Sequence, residues 1–443
     1  MENINWEKIR DEAIEKLVGY IRINTSNPPG NEIEGARYLK SFFDKEDIEA
    51  KIFESAPKRG NLKAILKGDG SSPPIILLNH IDVVPVEREK WDVDPFEGKI
   101  IDGYIYGRGT IDMKSMAIAE LMAMLILKRT NISLKRDIIF LATAGEETGG
   151  ELGAKWMLDK DPSLLEAAMV FNEGGGIVVK ENGEISHYEI SLAQKEVFQF
   201  TLKAYGTSGH ASMPHSDNPN VKLVKALNRL VSWETPFNII PIVKEFFANI
   251  GKNMSDEEKP NYMDIEKGLK DVSFRKKITK NLVYNAMLRN TISLTVLSAG
   301  TKVNVIPSEA SAEIDCRLIP GTDRDRWIKT IKEIIDDESI EFKAGMQSTK
   351  GIISPADGEG YKAIYEIAQK MDPGAVVTPF LSVGATDSRY FREKGIPCYD
   401  FEPLKLTLKE ALLIHGNNER VSVENLGFAS RFMYEVVKKV ATS

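Results

Sequence analysis

Cysteine is almost missing from this chain: only Cys316 and Cys398 occur among 443 residues, far apart and each in an apolar neighbourhood. That excludes a disulfide framework, and two buried free thiols in a reducing compartment are expected. Histidine is scarce too, at five residues, so each one standing in a polar motif carries weight. There is no basic block, and the net charge is −7; nucleic acid and anionic membrane surfaces are disfavoured as partners. No apolar run suits a bilayer, because the most apolar helical stretch, Ala117 to Leu127, is too short and carries Glu120. The opening residues Met1 to Lys8 lack the apolar core of a secretory signal, and a cytoplasmic location is expected. What is left, with 42% hydrophobic and 28% charged residues, is the composition of a globular protein large enough for two or three domain-sized units.

The polar residues that carry chemistry gather between Ile75 and Glu173. The buried-strand run Ile75-Ile76-Leu77-Leu78 ends abruptly in Asn79-His80-Ile81-Asp82. On an extended backbone His80 and Asp82 project to the same side, so the Asp82 carboxylate is expected to accept a hydrogen bond from the His80 ring and raise its basicity as a ligand. Gly107-Arg108-Gly109-Thr110-Ile111-Asp112-Met113-Lys114 then feeds a long helix through Ala117, Leu121, Met124 and Leu125, leaving Asp112 either as its N-cap or as a ligand. A second strand run, Ile138 to Ala144, ends in Gly145-Glu146-Glu147-Thr148, and a third, Ala168 to Phe171, ends in Asn172-Glu173-Gly174. Glu146 and Glu147 form either a plain solvated turn or a cation site, and because two adjacent carboxylates repel, their pairing costs least when a dication sits between them. Such strand ends line the crevice where open α/β sheets bind ligands, and the stretch reads as a metal site.

The order His80-Ile81-Asp82, Gly107 to Lys114, Ala144 to Gly150, Asn172-Glu173-Gly174 and the late His415-Gly416 resembles the M20 family of dinuclear zinc hydrolases, which includes aminoacylases, acetylornithine-type deacylases and carboxypeptidases. The resemblance spans nearly the whole chain. It implies two Zn2+ ions, with Co2+ or Mn2+ as substitutes, held by His80, Glu147, Glu173 and His415 as terminal ligands and by Asp112 as the bridge. It makes Glu146 the general base, with Asp82 and His210 as further catalytic residues. Mixed nitrogen and oxygen ligands with open positions are the mark of a catalytic rather than a structural site. One departure is Asp112-Met113-Lys114-Ser115-Met116 where many members have glycines, closer to the aminoacylase branch.

The rest of the chain alternates strands and helices up to Glu173, as expected of right-handed crossovers and a largely parallel sheet with helices on both faces. One helix is expected over residues 5 to 20. The loop Asn24 to Asn31 after it is either a plain helix connection or part of the cleft entrance. Near Ser186 the character changes. Val197 to Ala204 alternates, a helix is expected through Val221, Val224, Leu227 and Val231, and further strands are expected at Ser293 to Val296, Ala310 to Asp315 and Glu341 to Ala344, with a helix from Arg324 to Asp336. Residues 234 to 285 are charge-rich and weakly periodic and inform little. The expected architecture is an α/β catalytic domain, residues 1–188 and 351–443, interrupted by an α+β two-layer lid of dimerisation type at 189–350.

Of the remaining histidines, His187 is expected on the surface. His210, in a glycine-flanked loop, resembles the family's lid histidine, which contacts the oxyanion, with His215 as its rival. Asn304, otherwise a β-turn residue, resembles the lid asparagine, and Arg317 stands where the family carries a carboxylate-binding arginine, a role that suits a planar, bidentate guanidinium. The expected function is hydrolysis of the amide bond of N-acyl amino acids or short peptides bearing a free carboxylate. The same family admits a dipeptidase or carboxypeptidase, or a biosynthetic deacylase; the alternative of another class is a homologue that binds a small molecule without turnover. A small-molecule substrate is the expected partner, and a homodimer through the lid is left open.

Overall fold

A computed structural model describes residues 4–348 and 350–443. The chain divides into two compact units, one of Met1–Leu192, Ile353–Phe380 and Thr386–Ser443, the other of Ala193–Ile352 and Leu381–Ala385.

The first unit is built on a mixed sheet with a parallel centre. Strands Ile138–Thr143, Ile75–His80, Met169–Asn172 and Cys398–Asp400 run side by side and parallel, in a register that sets His80 opposite Thr143 and Ile75 opposite Met169. Antiparallel strands flank this centre, Glu49–Ala56 and Arg59–Leu66 on one side and Ile185–Gln194 on the other. The central strands are buried throughout, which is why they read as unbroken Ile, Leu and Val runs rather than alternating ones. Ile76, Leu78, Ile139, Leu141 and Val170 pack with Ala154, Met157, Leu158 and Phe391 on one face. Phe140 meets Phe43 of helix Glu32–Lys45 on the other, ring centres 5.1 Å apart. Helices therefore cover both faces.

The helix after Asp112 runs Lys114–Arg129 and is buried from Lys114 to Leu127, as an all-round apolar sequence requires. Lys128 and Arg129 close its last turn, where cations suit the carbonyl end of the helix dipole. Its N-cap is Met113, without a side-chain cap bond, so Asp112 is not spent on capping. Trp6–Ile21 forms the first helix. Among the described residues no helix is long and apolar enough to cross a membrane, and both cysteines are buried and unpaired.

The second unit contains a four-stranded antiparallel sheet in the order Thr291–Ser298, Glu309–Leu318, Glu196–Tyr205, Ile340–Gln347. Phe198, Phe200, Leu202 and Ala204 turn one way onto helices Pro219–Ser232 and Arg324–Ile335, giving the expected two layers. The helix Pro219–Ser232 buries Leu223, Ala226, Leu227 and Leu230, whereas Val221, Val224 and Val231 are exposed. The expected helix is present, and the sheet covers its leucine row. Residues 234 to 285, silent in sequence, hold Pro241–Gly251 and four shorter helices ending in Leu282–Leu288. Phe246, Phe247, Tyr262, Phe274 and Tyr284 pack among themselves there.

Candidate functional site

Because the central strands are parallel and in register, their carboxyl ends lie along one edge, and the polar residues following each strand converge. His80 closes its strand and is buried. Its Nε2 lies 2.9 Å from Asp112 Oδ1 and 3.6 Å from Glu173 Oε1. His415 Nε2 lies 2.9 Å from Asp112 Oδ2 and 3.3 Å from Glu147 Oε2. Two donor groups result, His80 with Asp112 and Glu173, and Asp112 with Glu147 and His415, the donor atoms of each within 4.8 Å of one another. The two groups share Asp112, one carboxylate oxygen for each histidine.

Electrostatics mark the cluster as short of positive charge. Burial pushes the Glu173 carboxyl up to about 7, with Asp112 adding to the shift. Burial also raises Glu146 well above the usual carboxylate range, helped by Glu173, Asp387 and Glu147. For Asp112, burial is outweighed by the hydrogen bonds to His415 and His80, and its carboxyl is held below the usual value. Burial opposes a charge on His80, but Glu173 and Asp112 prevail and lift it well above the ordinary imidazole value. Hydrogen bonds to Asp112 and Glu147 carry His415 to about 10. The buried Oε1 of Glu147 has no hydrogen-bond partner. Three carboxylates, two imidazoles and an orphaned oxygen suit divalent cations of the zinc, cobalt or manganese kind, so the residues present fit the metals implied by the motifs.

Asp82 departs from expectation. The His80 Nδ1 meets the backbone carbonyl of Asp82 at 2.9 Å, while the carboxylate stands 3.7 Å off. That carboxylate accepts instead from Gly145 N at 2.9 Å, Glu146 N at 3.1 Å, Glu147 N at 3.2 Å and Asn27 Nδ2 at 2.8 Å. The physical reason is the turn at Gly145, whose φ of 78° points successive N–H groups inward; several convergent amides seat an anion better than one ring N–H. Asp82 is the clasp of the turn that carries Glu146 and Glu147. The loop from Asn24 to Asn31 is accordingly more than a connection, since Asn27 joins the clasp and Thr25 Oγ1 donates to Ile81 O at 2.7 Å.

Two further acids face the cluster and escaped the sequence reading. Asp387 accepts from Thr143 Oγ1 at 3.1 Å, its other oxygen is buried without a partner, and burial pushes its carboxyl to about 6. The signal was present, because Gly384-Ala385-Thr386-Asp387 repeats the glycine-then-acid entry to a helix that points to Asp112. Glu402, beyond the strand Cys398–Asp400, is raised well above its usual value by burial and then by Glu173 and Asp112; nothing in its local sequence announces this. His187 is also corrected: it is 3% exposed and its Nε2 lies 2.8 Å from Glu189, because both faces of its strand are covered, His187 and Tyr188 being buried alike.

His210, Asn304 and Arg317 belong to the second unit. A two-residue ladder sets Gly209 and His210 opposite Ile306 and Val305, and Ala211 N donates to Asn304 O at 3.1 Å, bringing His210 and Asn304 together on exposed backbone. Ser212 N donates to His210 Nδ1 at 3.1 Å, which in the neutral ring leaves the proton on Nε2 as a donor. His215 remains exposed nearby. Arg317 is engaged already: Nε and Nη2 meet Asp315 at 2.8 and 3.4 Å, and Gln199 Nε2 donates to the same carboxylate at 2.9 Å.

Comparison with known proteins gives the family and the fold. Residues 76–439 match the model of peptidase family M20/M25/M40. The chain is 31% identical over 406 residues to the N-fatty-acyl-amino acid synthase/hydrolase PM20D1 of Mus musculus, covering 88% of this chain and 78% of that protein. It is 27% identical over 414 residues to aminoacylase-1A of Rattus norvegicus, covering 91% and 88%. Among solved structures, the M20 metallo-carboxypeptidase Sso-CP2 of Sulfolobus solfataricus superposes with a TM-score of 0.73 at 23% identity, covering 97% of this chain and 99% of that one. Human carnosine dipeptidase 1 gives 0.70 at 17% identity, covering 99% of each.

Proposed function

The chain belongs to peptidase family M20/M25/M40 and is a metallohydrolase, and from that premise we propose that it holds two zinc ions and hydrolyses the amide bond of N-acyl amino acids or short peptides with a free carboxylate. The observation that carries the reading is the single carboxylate of Asp112 shared by two donor groups. Similarity to a fatty-acyl-amino acid hydrolase and to an aminoacylase supports the N-acyl substrate class. When bound, divalent ions would polarise the substrate carbonyl and lower the pKa of a coordinated water towards about 7.

The chain's own residues supply the rest. Glu146 belongs to neither donor group yet sits on the same clasped turn as Glu147, so its carboxylate takes the proton of the attacking water and returns it to the leaving nitrogen. Such a role is worth about 10²–10⁴-fold. Asp82, by seating the amides of Gly145 to Glu147, keeps base and ligand apart in their tasks. In the second unit His210 Nε2–H is the donor proposed for the developing oxyanion, and Arg317 with Asn304 would recognise the substrate carboxylate. Exposed Val221, Val224 and Val231 on one helix and Leu294, Val296 and Leu297 on the edge strand of its sheet support a homodimer formed through this unit, since apolar surface of this kind marks an interface.

Metal analysis and light scattering on chain purified without chelator test these statements, alongside a screen of N-acyl amino acids and dipeptides. About two zinc equivalents, a mass of two chains and turnover of the N-acyl series are expected. An active preparation free of transition metal would end the metal reading; turnover of dipeptides alone would move the substrate to the peptidase branch.

A further inference from the structure

Glu419 stands four residues after His415 and is fully buried. Both of its carboxylate oxygens are committed to the turn that carries Asp112. Oε2 accepts from Arg108 Nη1 at 2.6 Å and Gly109 N at 2.9 Å, and Oε1 from Ile111 N at 2.7 Å and Asp112 N at 3.2 Å. Its backbone carbonyl accepts from Gly107 N at 3.0 Å. Arg108 completes the link in the other direction: Nη2 donates to the carbonyl of His415 at 3.1 Å, and the guanidinium lies 5.4 Å over the Trp91 ring. One carboxylate thus joins two segments some 300 residues apart in sequence, each bearing a residue of the donor cluster.

We infer that Glu419 is a positioning residue for the metal centre, fixing the Arg108–Asp112 turn so that the two oxygens of Asp112 face different histidines. The inference rests on the metal reading given above. Its chemistry is specific to a carboxylate. Three backbone N–H groups and a guanidinium converge on two oxygens, and all four are donors; an amide in that place offers one oxygen and turns its NH2 against the donors left over. The turn would then relax, and Asp112 with it. A buried ion pair kept only for stability makes a different prediction, because its loss would lower the melting temperature without altering how the folded chain holds metal.

Zinc affinity of the full-length, metal-stripped chain, read by competition with a chromogenic chelator, separates the two. Glu419→Gln is expected to weaken zinc binding by about 10- to 100-fold, the scale for losing a partner that orients a metal ligand, with the far-ultraviolet circular dichroism unchanged. Glu419→Asp, which restores both oxygens on a shorter stem, should recover part of the loss. Glu196→Gln serves as the comparison: Glu196 is also buried and ion-paired, to Arg324 in the second unit, and should cost melting temperature while leaving zinc affinity alone. If Glu419→Gln does not fold, Arg108→Lys carries the test, since it keeps the cation but loses the fork to His415, and a loss of several-fold is expected. Wild-type zinc affinity in whichever of these two variants folds overturns the inference while leaving the metal reading intact. A wild-type chain that takes up no zinc overturns both.

Discussion

The strand ends of the first unit and the short ladder of the second both present polar side chains, but they hold them by different means. In the first, the turn bearing Glu146 and Glu147 hangs from a buried carboxylate by three backbone amides, and the strands that deliver the residues are covered on both faces. In the second, His210 and Asn304 sit on exposed backbone, paired over two residues and braced by Ser212. Carriage on a buried parallel sheet desolvates the polar groups at its strand ends, and burial accordingly raises the carboxyls of Glu146 and Glu173. The two-residue ladder, separate from the four-stranded sheet, leaves His210 and Asn304 exposed to water. On the function proposed above this would be a division of labour: groups that would share a cation are buried in the first unit, and groups that would meet the substrate stand exposed on the second.

The sharpest way to break that comparison lies within the rigid unit. Glu146→Gln is expected to lower kcat by at least about 10²-fold, up to 10⁴-fold, with zinc content nearly intact. Glu147→Ala should instead shed zinc, because its side chain lines a donor group. Equal zinc loss in both variants, measured by atomic absorption beside steady-state kinetics, would mean that base and ligand have been divided wrongly.

The next effect is expected in the second unit. Removing one oxyanion donor costs about 10²–10³-fold in turnover, so His210→Ala should fall in that range while its zinc content stays at the wild-type value. Ser212 supplies the sharper version. Its N–H sets the His210 tautomer through Nδ1, and its hydroxyl lies 2.7 Å from the same nitrogen, so Ser212→Ala, which keeps the N–H, should cost far less. Undiminished kcat in His210→Ala would remove this unit from the chemistry.

How much of this was legible beforehand follows from the same contrast. Buried strands announce themselves as apolar runs that stop at a polar group, which singled out His80, the Glu146–Glu147 pair and Glu173; Asp112, His415 and the choice of Glu147 came from the family resemblance, and all five ligand candidates are brought together. Asp82 could be found but not its partners, since a spacing of two residues says that side chains share a side and nothing about three amides arriving from residues 145 to 147. His187 reads as a surface residue because nothing in its local sequence tells that both faces of its strand are covered. The helix through Val221, Val224, Leu227 and Val231 is there, but which of its apolar rows is buried is chosen only by the partner sheet. The helices between 241 and 288 are mostly too short for a period to register, although Asp264, Asp271 and Asn281 each cap one. Glu419 was in plain view beside His415, but a contact over some 300 residues leaves no local trace.

The smallest effect is also the most discriminating, because Arg317 does not wait empty for a carboxylate. Its guanidinium is held by Asp315 two residues away on the same face of the strand, so the substrate carboxylate proposed to bind there would have to share it. Losing a charge-assisted pair of this kind costs about 1.5–3 kcal/mol, and the existing pair places the expected penalty near the lower end, a rise in KM of roughly 10-fold for Arg317→Ala. Two effects are mixed in that number: an attraction is lost, and Asp315 is left uncompensated to repel the substrate. The double variant Arg317→Ala with Asp315→Asn removes the repulsion and should regain part of the KM, the interaction between the two changes being the measure of the pair. Asp315→Asn alone frees the guanidinium and should lower KM a few-fold. None of the three should matter for a substrate whose carboxylate is capped as an amide, and equal penalties on free and capped substrates would show that Arg317 serves its own strand rather than the substrate.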